Sequence, residues 1–259
     1  MENTMSKRLS FCTALGISLL STQVLAEQIT KSFNVSPDGT LTLRTDAGSI
    51  EINTHSSDTV EVDVDIDQRN DGDFTVNFEQ DDDGVSIDGE REGEWYGGSL
   101  RVRYAITLPE QYNVDVDTAG GAISIESLIG QVEARTSGGR ITVSDVVGDI
   151  DIKTSGGALD ISDVKGNIDG HTSGGGIDLR LSEQPDEDVS LRTSGGSINA
   201  MFPETIKIDL EASTSGGRVK SEWPVEGSVS KREIEGKING GGPQVDLKTS
   251  GGSIHVEKI

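Results

Sequence analysis

The tetrapeptide Thr-Ser-Gly-Gly starts at Thr136, Thr154, Thr172, Thr193, Thr214 and Thr249, with a near-copy, Thr-Ala-Gly-Gly, at Thr118. From Thr118 to Thr172 the interval is 18 residues; the next two steps are 21 and the last is 35. A short fixed period is the mark of supersecondary units that stack on one another, because one unit cannot bury its own apolar face. Repetition of this kind also builds an extended surface more readily than a single catalytic pocket.

Each unit reads as two short strands. Ile141 and Val143 alternate with Thr142 and Ser144, the turn Asp145-Val146-Val147-Gly148-Asp149 follows, and Ile150 and Ile152 alternate with Asp151 and Lys153 before the next Thr154-Ser155-Gly156-Gly157. Period-2 alternation closed by glycine turns predicts half-buried strands. The glycine pairs are expected to supply positive φ where the chain reverses, and the repeated serines or threonines to bond local backbone. Equal unit lengths favour a parallel β-solenoid, with two short strands per coil of about 18 residues, over an antiparallel meander with Ser-Gly-Gly hairpins. The inward columns are then Ile123, Ile141, Leu159, Ile177 and Val132, Ile150, Ile168, with Val146 and Val164 plugging the bend. On the outer face, Glu133/Arg135, Asp151/Lys153 and Asp169/His171 set an acidic column beside a basic one.

Three sections follow from this pattern. Residues 1–26 have a basic start (Lys7, Arg8), an apolar run from Phe11 to Leu20 and Val24-Leu25-Ala26 before the cut, the form of a secretory signal peptide. Residues 27–117 are strand-rich but less regular, with alternation at Val60, Val62, Val64 and Ile66 and a decayed turn at Asp46-Ala47-Gly48. Residues 118–259 carry the repeats, in one continuous solenoid domain with 27–117. The stretch from Trp223 to Gly242 breaks the period as an excursion before the last unit.

Cleavage after Ala26 removes one acid and two bases, so the net charge moves from −23 to −24, and it removes Cys12, the single cysteine. An exported chain without cysteine has no disulfide framework. Its negative charge argues against nucleic acid and anionic lipid partners. No apolar run after the leader approaches the ~20 residues of a spanning helix. The expected location is the periplasm or the medium.

The motifs Tyr104-Ala-Ile-Thr-Leu-Pro109, Val114-Asp-Val-Asp-Thr-Ala-Gly-Gly121, the Thr-Ser-Gly-Gly series and Gly236-Lys-Ile-Asn-Gly-Gly-Gly-Pro243 resemble those of a bacterial family of Ser-Gly-Gly β-repeat domains of unknown function, labelled "putative adhesins". The similarity runs from about Phe33 to Val256. It implies a right-handed, solenoid-like all-β fold and carries over no catalytic residue.

Candidate chemistry is sparse. His55, His171 and His255 are far apart and lack any HxH, HExxH or cysteine partner, so no metal ligation and no cofactor is expected. The acid-rich runs Asp67–Asp73 and Asp81–Gly84 depart from EF-hand spacing and read as hairpin turns. The aromatic pair Trp95-Tyr96 and Trp223 are the candidate ligand- or partner-binding residues, with capping of the core as their other role. The favoured function is a non-enzymatic envelope scaffold or adhesin-like surface for a protein or glycan. A carbohydrate-active enzyme on a solenoid groove and a calcium-stabilised module are the alternatives. Specific recognition is expected where the repeat breaks, at Trp95-Tyr96 and in the Trp223–Gly242 excursion.

Overall fold

The computed structural model describes residues 26–69, 73–93 and 99–259. The leader up to Leu25, the tip of the Asp67–Asp73 run and the Trp95-Tyr96 pair lie outside the described residues. The fold is all-β and solenoid-like. Its N-terminal part holds β1 (Ala26–Asn34), β2 (Thr40–Thr45), β3 (Ser49–His55), β4 (Thr59–Arg69), β5 (Asp73–Gln80), β6 (Gly84–Glu92) and β7 (Ser99–Pro109). The repeats form β8 (Asn113–Thr118), β9 (Ile123–Glu126), β10 (Val132–Thr136), β11 (Ile141–Ser144), β12 (Ile150–Thr154), β13 (Leu159–Ser162), β14 (Ile168–Thr172), β15 (Ile177–Arg180), β16 (Val189–Thr193) and β17 (Ile198–Phe202). The chain ends in β18 (Ile208–Thr214), β19 (Val219–Ser221), β20 (Glu226–Val229), β21 (Glu233–Ile238), β22 (Gln244–Thr249) and β23 (Ile254–Lys258).

These strands form two sheets. One has the order β1-β4-β7-β3-β9-β11-β13-β15-β17-β23-β19, the other β20-β21-β18-β22-β16-β14-β12-β10-β8-β2-β6-β5. From β8 to β17 successive strands alternate between the sheets, and each pairs in parallel with the strand one repeat away. The register places Ile123, Ile141, Leu159 and Ile177 in one column and Val132, Ile150 and Ile168 in another, all 2% exposed or less. Leu128, Val146 and Val164 close the bend between the columns, as their apolar character predicts.

The glycine pairs work differently from the sequence expectation. Neither glycine of the Ser-Gly-Gly turns has a positive φ. The left-handed glycines lie at the other bend: Gly130 (φ 155), Gly148 (147) and Gly166 (144), each three residues after Ser127, Asp145 or Asp163, which have φ of 61, 55 and 50. The second glycine of the pair is required by proximity. A Cβ on Gly139 would lie 1.9 Å from the Gly121 carbonyl oxygen, and one on Gly157 would lie 1.7 Å from that of Gly139. The first glycine has room, since nothing approaches a Cβ on Gly138 closer than 3.9 Å.

The threonine before each pair is the residue that exploits this closeness. Thr118, Thr136, Thr154, Thr172, Thr193, Thr214 and Thr249 are all buried. The Thr154 hydroxyl donates to the Gly139 carbonyl at 2.9 Å and accepts from the Gly157 N–H at 3.2 Å. The same two bonds recur at Thr136, Thr172, Thr193, Thr214 and Thr249. The expected local backbone bond therefore belongs to the threonine, and its second bond reaches the neighbouring repeat.

At each end of the stack a pair of strands lies inside a layer that comes from a more central part of the chain. β2 and β3 lie between β8–β9 and β6–β7, and β22 and β23 lie between β16–β17 and β18–β19. Antiparallel strands finish the stack: β4 and β1 beside β7, β5 beside β6, and the β20–β21 hairpin beside β18. Phe33 and Phe78, 6.2 Å apart, help to bring β1 and β5 together. Antiparallel caps interrupt the parallel pairing that would otherwise continue into another chain at three of the four sheet ends; the fourth is the three-residue β19, parallel to β23.

Two outcomes test this account. Thr154→Val keeps the shape but strips the partners from a buried N–H and C=O, so it should lower stability by about 1–3 kcal/mol in urea unfolding. Gly139→Ala should cost about 2–4 kcal/mol, whereas Gly138→Ala should stay within about 0.5 kcal/mol. A separate outcome concerns Tyr104, whose phenol is buried beside the Thr45 hydroxyl at 3.0 Å. Burial pushes its pKa from 10.0 up to about 12, with the Thr45 hydrogen bond opposing the rise. The neutral phenol stabilises the fold below pH 10.0, and that contribution is lost as pH climbs to about 12. Stability of Tyr104→Phe measured across that window should fall less steeply than that of the natural chain.

Candidate binding surface

The sequence columns of charge exist as geometry on the outer face of the twelve-stranded sheet. Glu133, Asp151 and Asp169 are successive pairing partners, as are Arg135, Lys153, His171, Arg192 and Lys248. The bases tie the columns together. Arg135 pairs with Glu133 and reaches Asp151 of the next strand at 3.8 Å; Lys153 pairs with Asp151 at 2.9 Å; Arg192 reaches Asp246 at 2.7 Å; Lys248 reaches Glu211 at 2.8 Å and Asp246 at 3.0 Å. Arg44 closes the N-terminal end of the ladder on Asp115, and that bond raises its pKa. Most of these side chains are more than a third exposed, so each pair is worth under about 1 kcal/mol. The ladder fixes side-chain positions on a flat face more than it stabilises the fold.

Beside this ladder the corner of the repeats forms a shallow groove that sequence reasoning missed. A hollow of about 450 Å³ is lined by Asp38, Gln111, Tyr112, Asn113, Ile129, Gly130, Gln131, Val147, Gly148 and Asp149. It adjoins one of about 340 Å³ that shares Asn113, Gln131 and Asp149 and reaches Asp115, Glu133 and Asp151. Ile129 and Val147 are each 48% exposed, in contrast to Leu128 and Val146 one residue earlier, which are buried. They pair in parallel through isolated bridges, Gln111 to Ile129 to Val147 to Lys165, so they form one ridge. The signal was present in the sequence as the second apolar residue of two bends, Ile129 and Val147, with Lys165 in that place at the third; the sequence places Val146 and Val164 inward but does not show that Ile129 and Val147 align across the corner.

The polar wall of the groove is also a repeat product. The Asn113 side-chain oxygen accepts the Gln131 N–H at 3.0 Å, and the Asp149 carboxylate accepts the Asn167 N–H at 2.9 Å. Asp38, at φ 64, is held by Gln111 at 2.9 Å. The result is a row of oxygen acceptors and amides beside an apolar ridge, which suits a ligand with hydroxyl groups on one side and carbon–hydrogen surface on the other.

The other singled-out residues take separate places. Trp223 is 5% exposed; its indole N–H donates to the Glu204 carbonyl at 3.1 Å, and the Lys258 ammonium lies 5.6 Å from its ring. The rest of its excursion forms the β20–β21 hairpin. His55 Nε2 donates to the Thr59 carbonyl at 2.7 Å, and His255 Nδ1 lies 3.2 Å from the Asn199 side-chain oxygen. His55, His171 and His255 stand on β3, β14 and β23. The Asp81 carboxylate accepts the N–H groups of Asp83 and Gly84 at 2.9 and 3.0 Å, as a hairpin turn does. Among the described residues no group of three or more His, Cys, Asp or Glu side chains is placed to hold a metal ion, and no helix is long and apolar enough to cross a membrane.

The profile of the Toastrack DUF4097 family matches residues 39–167 and again residues 139–257. The chain belongs to the Toastrack family. A "putative adhesin" from Bacteroides fragilis NCTC 9343 shares 13% identity with this Toastrack chain, covers 92% of it and 100% of its own length, and superposes with a TM-score of 0.51. A "putative cell adhesion protein" from Clostridium sporogenes ATCC 15579 shares 14% identity over 91% of this chain and 100% of its own, with a TM-score of 0.39. At 13% identity the Bacteroides likeness is one of fold alone. No curated protein matches the sequence. If the charge ladder of this Toastrack fold is a positioned surface and not a structural staple, Arg135→Gln and Lys153→Gln should each lower stability by less than about 1 kcal/mol in urea unfolding.

Proposed function

We propose that this Toastrack protein is an exported, non-enzymatic envelope scaffold or adhesin-like module whose repeated outer surface binds a protein or glycan. The observation that carries this reading is the groove at the corner of the repeats, where the exposed Ile129–Val147 ridge runs beside the Asn113, Gln131 and Asp149 row. Neighbouring strands of a sheet lie about 4.8 Å apart, so the groove offers the apolar contact twice in succession, at Ile129 and Val147, between Gln111 and Lys165. Many weak contacts of this kind add up through effective concentration and need no deep pocket. The pairing of the outer carboxylates with bases fits binding better than hydrolysis by a pair of free carboxyl groups.

In this reading each 18-residue unit is one coil of two strands, supported by the alternation of strands between the sheets. The leader 1–26 is removed, and the strand-rich section 27–117 and the repeat section 118–259 form one continuous domain in the periplasm or the medium. Trp223 acts as a cap, in keeping with its burial. Trp95 and Tyr96 are assigned a contact role on their sequence alone.

The test pairs a glycan array with capture from envelope extract, using the natural chain and the Ile129→Asp, Val147→Asp double variant. The expected outcome is a glycan or protein ligand whose retention falls at least about tenfold in the variant, a loss of about 1.4 kcal/mol. No ligand above background on either arm would sink the proposal, as would equal retention by a correctly folded variant. Trp95→Ala and Tyr96→Ala should weaken the same ligand if the aromatic pair extends the surface.

A further inference from the structure

The last segment of the chain does not form the last layer of the stack. β22 lies between β16 and β18, and β23 lies between β17 and β19. The two faces it separates match each other. Val189 and Leu210 both pair with Val245, Thr193 and Thr214 both pair with Thr249, and Ile198 and Val219 both pair with Ile254. The Thr214 hydroxyl donates to the Gly252 carbonyl at 2.7 Å, while Thr249 donates to that of Gly196 at 2.8 Å. With β22–β23 withdrawn, Thr214 would meet Gly196 in the same geometry, and β16 and β18 would pair in register. The spacing permits it: Thr193 to Thr214 is 21 residues, the same as Thr172 to Thr193, whose strands do stack directly. Withdrawal therefore leaves no unpaired strand edge in the body of the fold.

The withdrawn segment has the opposite problem. It carries Val245, Leu247, Ile254 and Val256, all buried in place, and two strands alone cannot keep them from water. The site that satisfies them is an identical slot, and a second copy whose own segment has withdrawn, before β16 and β18 close on each other, provides one. The connection that would have to open is Asn239–Pro243, which carries the chain from β21 on one side of β18 to β22 on the other. Asn239, Gly240 and Gly241 have φ of 51, 95 and 86, all left-handed. Gly242 passes so near the start of β18 that a Cβ would lie 2.2 Å from the Lys207 carbonyl oxygen. Exchange of an identical element keeps every contact except those of such a hinge, so its cost is low and its extent depends on concentration.

We propose that residues 244–259 form an exchangeable insert, and that two copies of this protein interlock by swapping it through the Asn239–Pro243 hinge. The dimer so formed would present two outer faces from one assembly.

The test is made in the full chain carrying Cys12→Ser, with Ser213→Cys and Lys248→Cys added. These two positions are pairing partners on β18 and β22, at the ~4.8 Å strand spacing that a disulfide spans. Oxidation of an unswapped molecule closes the bond within one chain; oxidation of a swapped pair links two chains. Ser124→Cys with Thr142→Cys, partners on β9 and β11, serves as the control in a segment that does not exchange. The expected result after refolding over a range of concentrations is a covalent dimer on non-reducing denaturing gels that grows with concentration and is absent from the control. Gly241→Ala should raise the dimer several-fold, because a side chain there opposes the left-handed crossing and would lie 2.3 Å from Asp209 Oδ1. Closure within one chain at every concentration, in Gly241→Ala as well, would overturn the proposal. So would an equal dimer yield from the control.

Discussion

A buried hydroxyl between two backbones governs this fold. In each repeat a threonine side chain accepts an N–H from its own turn and donates to a glycine carbonyl of the neighbouring repeat, as at Thr154 with Gly157 and Gly139. Turns that close must satisfy their backbone groups, because an unpaired buried amide or carbonyl costs about 1–3 kcal/mol. The contact also sets the distance between repeats. Only a residue without Cβ can stand where Gly139 and Gly157 stand, less than 2 Å short of the next carbonyl for any added carbon. Threonine and glycine are thus one device: the first supplies the bond and the second allows the approach.

From that spacing the surface follows. Once repeats stack in register, each outer position becomes a column, and chemistry placed once in the repeat is presented many times. The acid and base columns at Glu133–Asp151 and Arg135–Lys153 neutralise one another locally, so like charges one strand apart do not drive the layers apart. The corner ridge of Ile129 and Val147 uses the same register for an apolar purpose. A binding surface of this type gains strength by extension, and a swapped dimer would extend it further.

Much of this was legible in the sequence. Ile141, Val143, Ile150 and Ile152 announce two inward-facing strands, and the 18-residue interval announces that like residues stack. The role of the glycine pair was misread, because a glycine chosen for φ and one chosen for close approach look alike in one dimension; Gly148 is the first kind and Gly139 the second. Val146 was placed inward and is buried, but the groove was missed because only the bend geometry sets the exposed Val147 beside Ile129 of the neighbouring repeat. Trp223 drew attention as an aromatic outside the repeat, and its carbonyl partner at Glu204 lies in a different loop, beyond any local pattern.

The strands, their inward and outward faces and the columns can be read in one dimension, because they depend on period-2 alternation and on a repeat that returns every residue type to the same place. The order of the layers emerges only in three dimensions. The fold puts β2–β3 and β22–β23 inside the stack and makes caps of the internal segments that end at β7 and begin at β18. The physical reason is that repeats with the same edges and the same register pair equally well with many neighbours. Which of them meet is set by the antiparallel caps that only fit at an end and by the reach of the connections between them, such as the glycine-rich crossing at Asn239–Pro243.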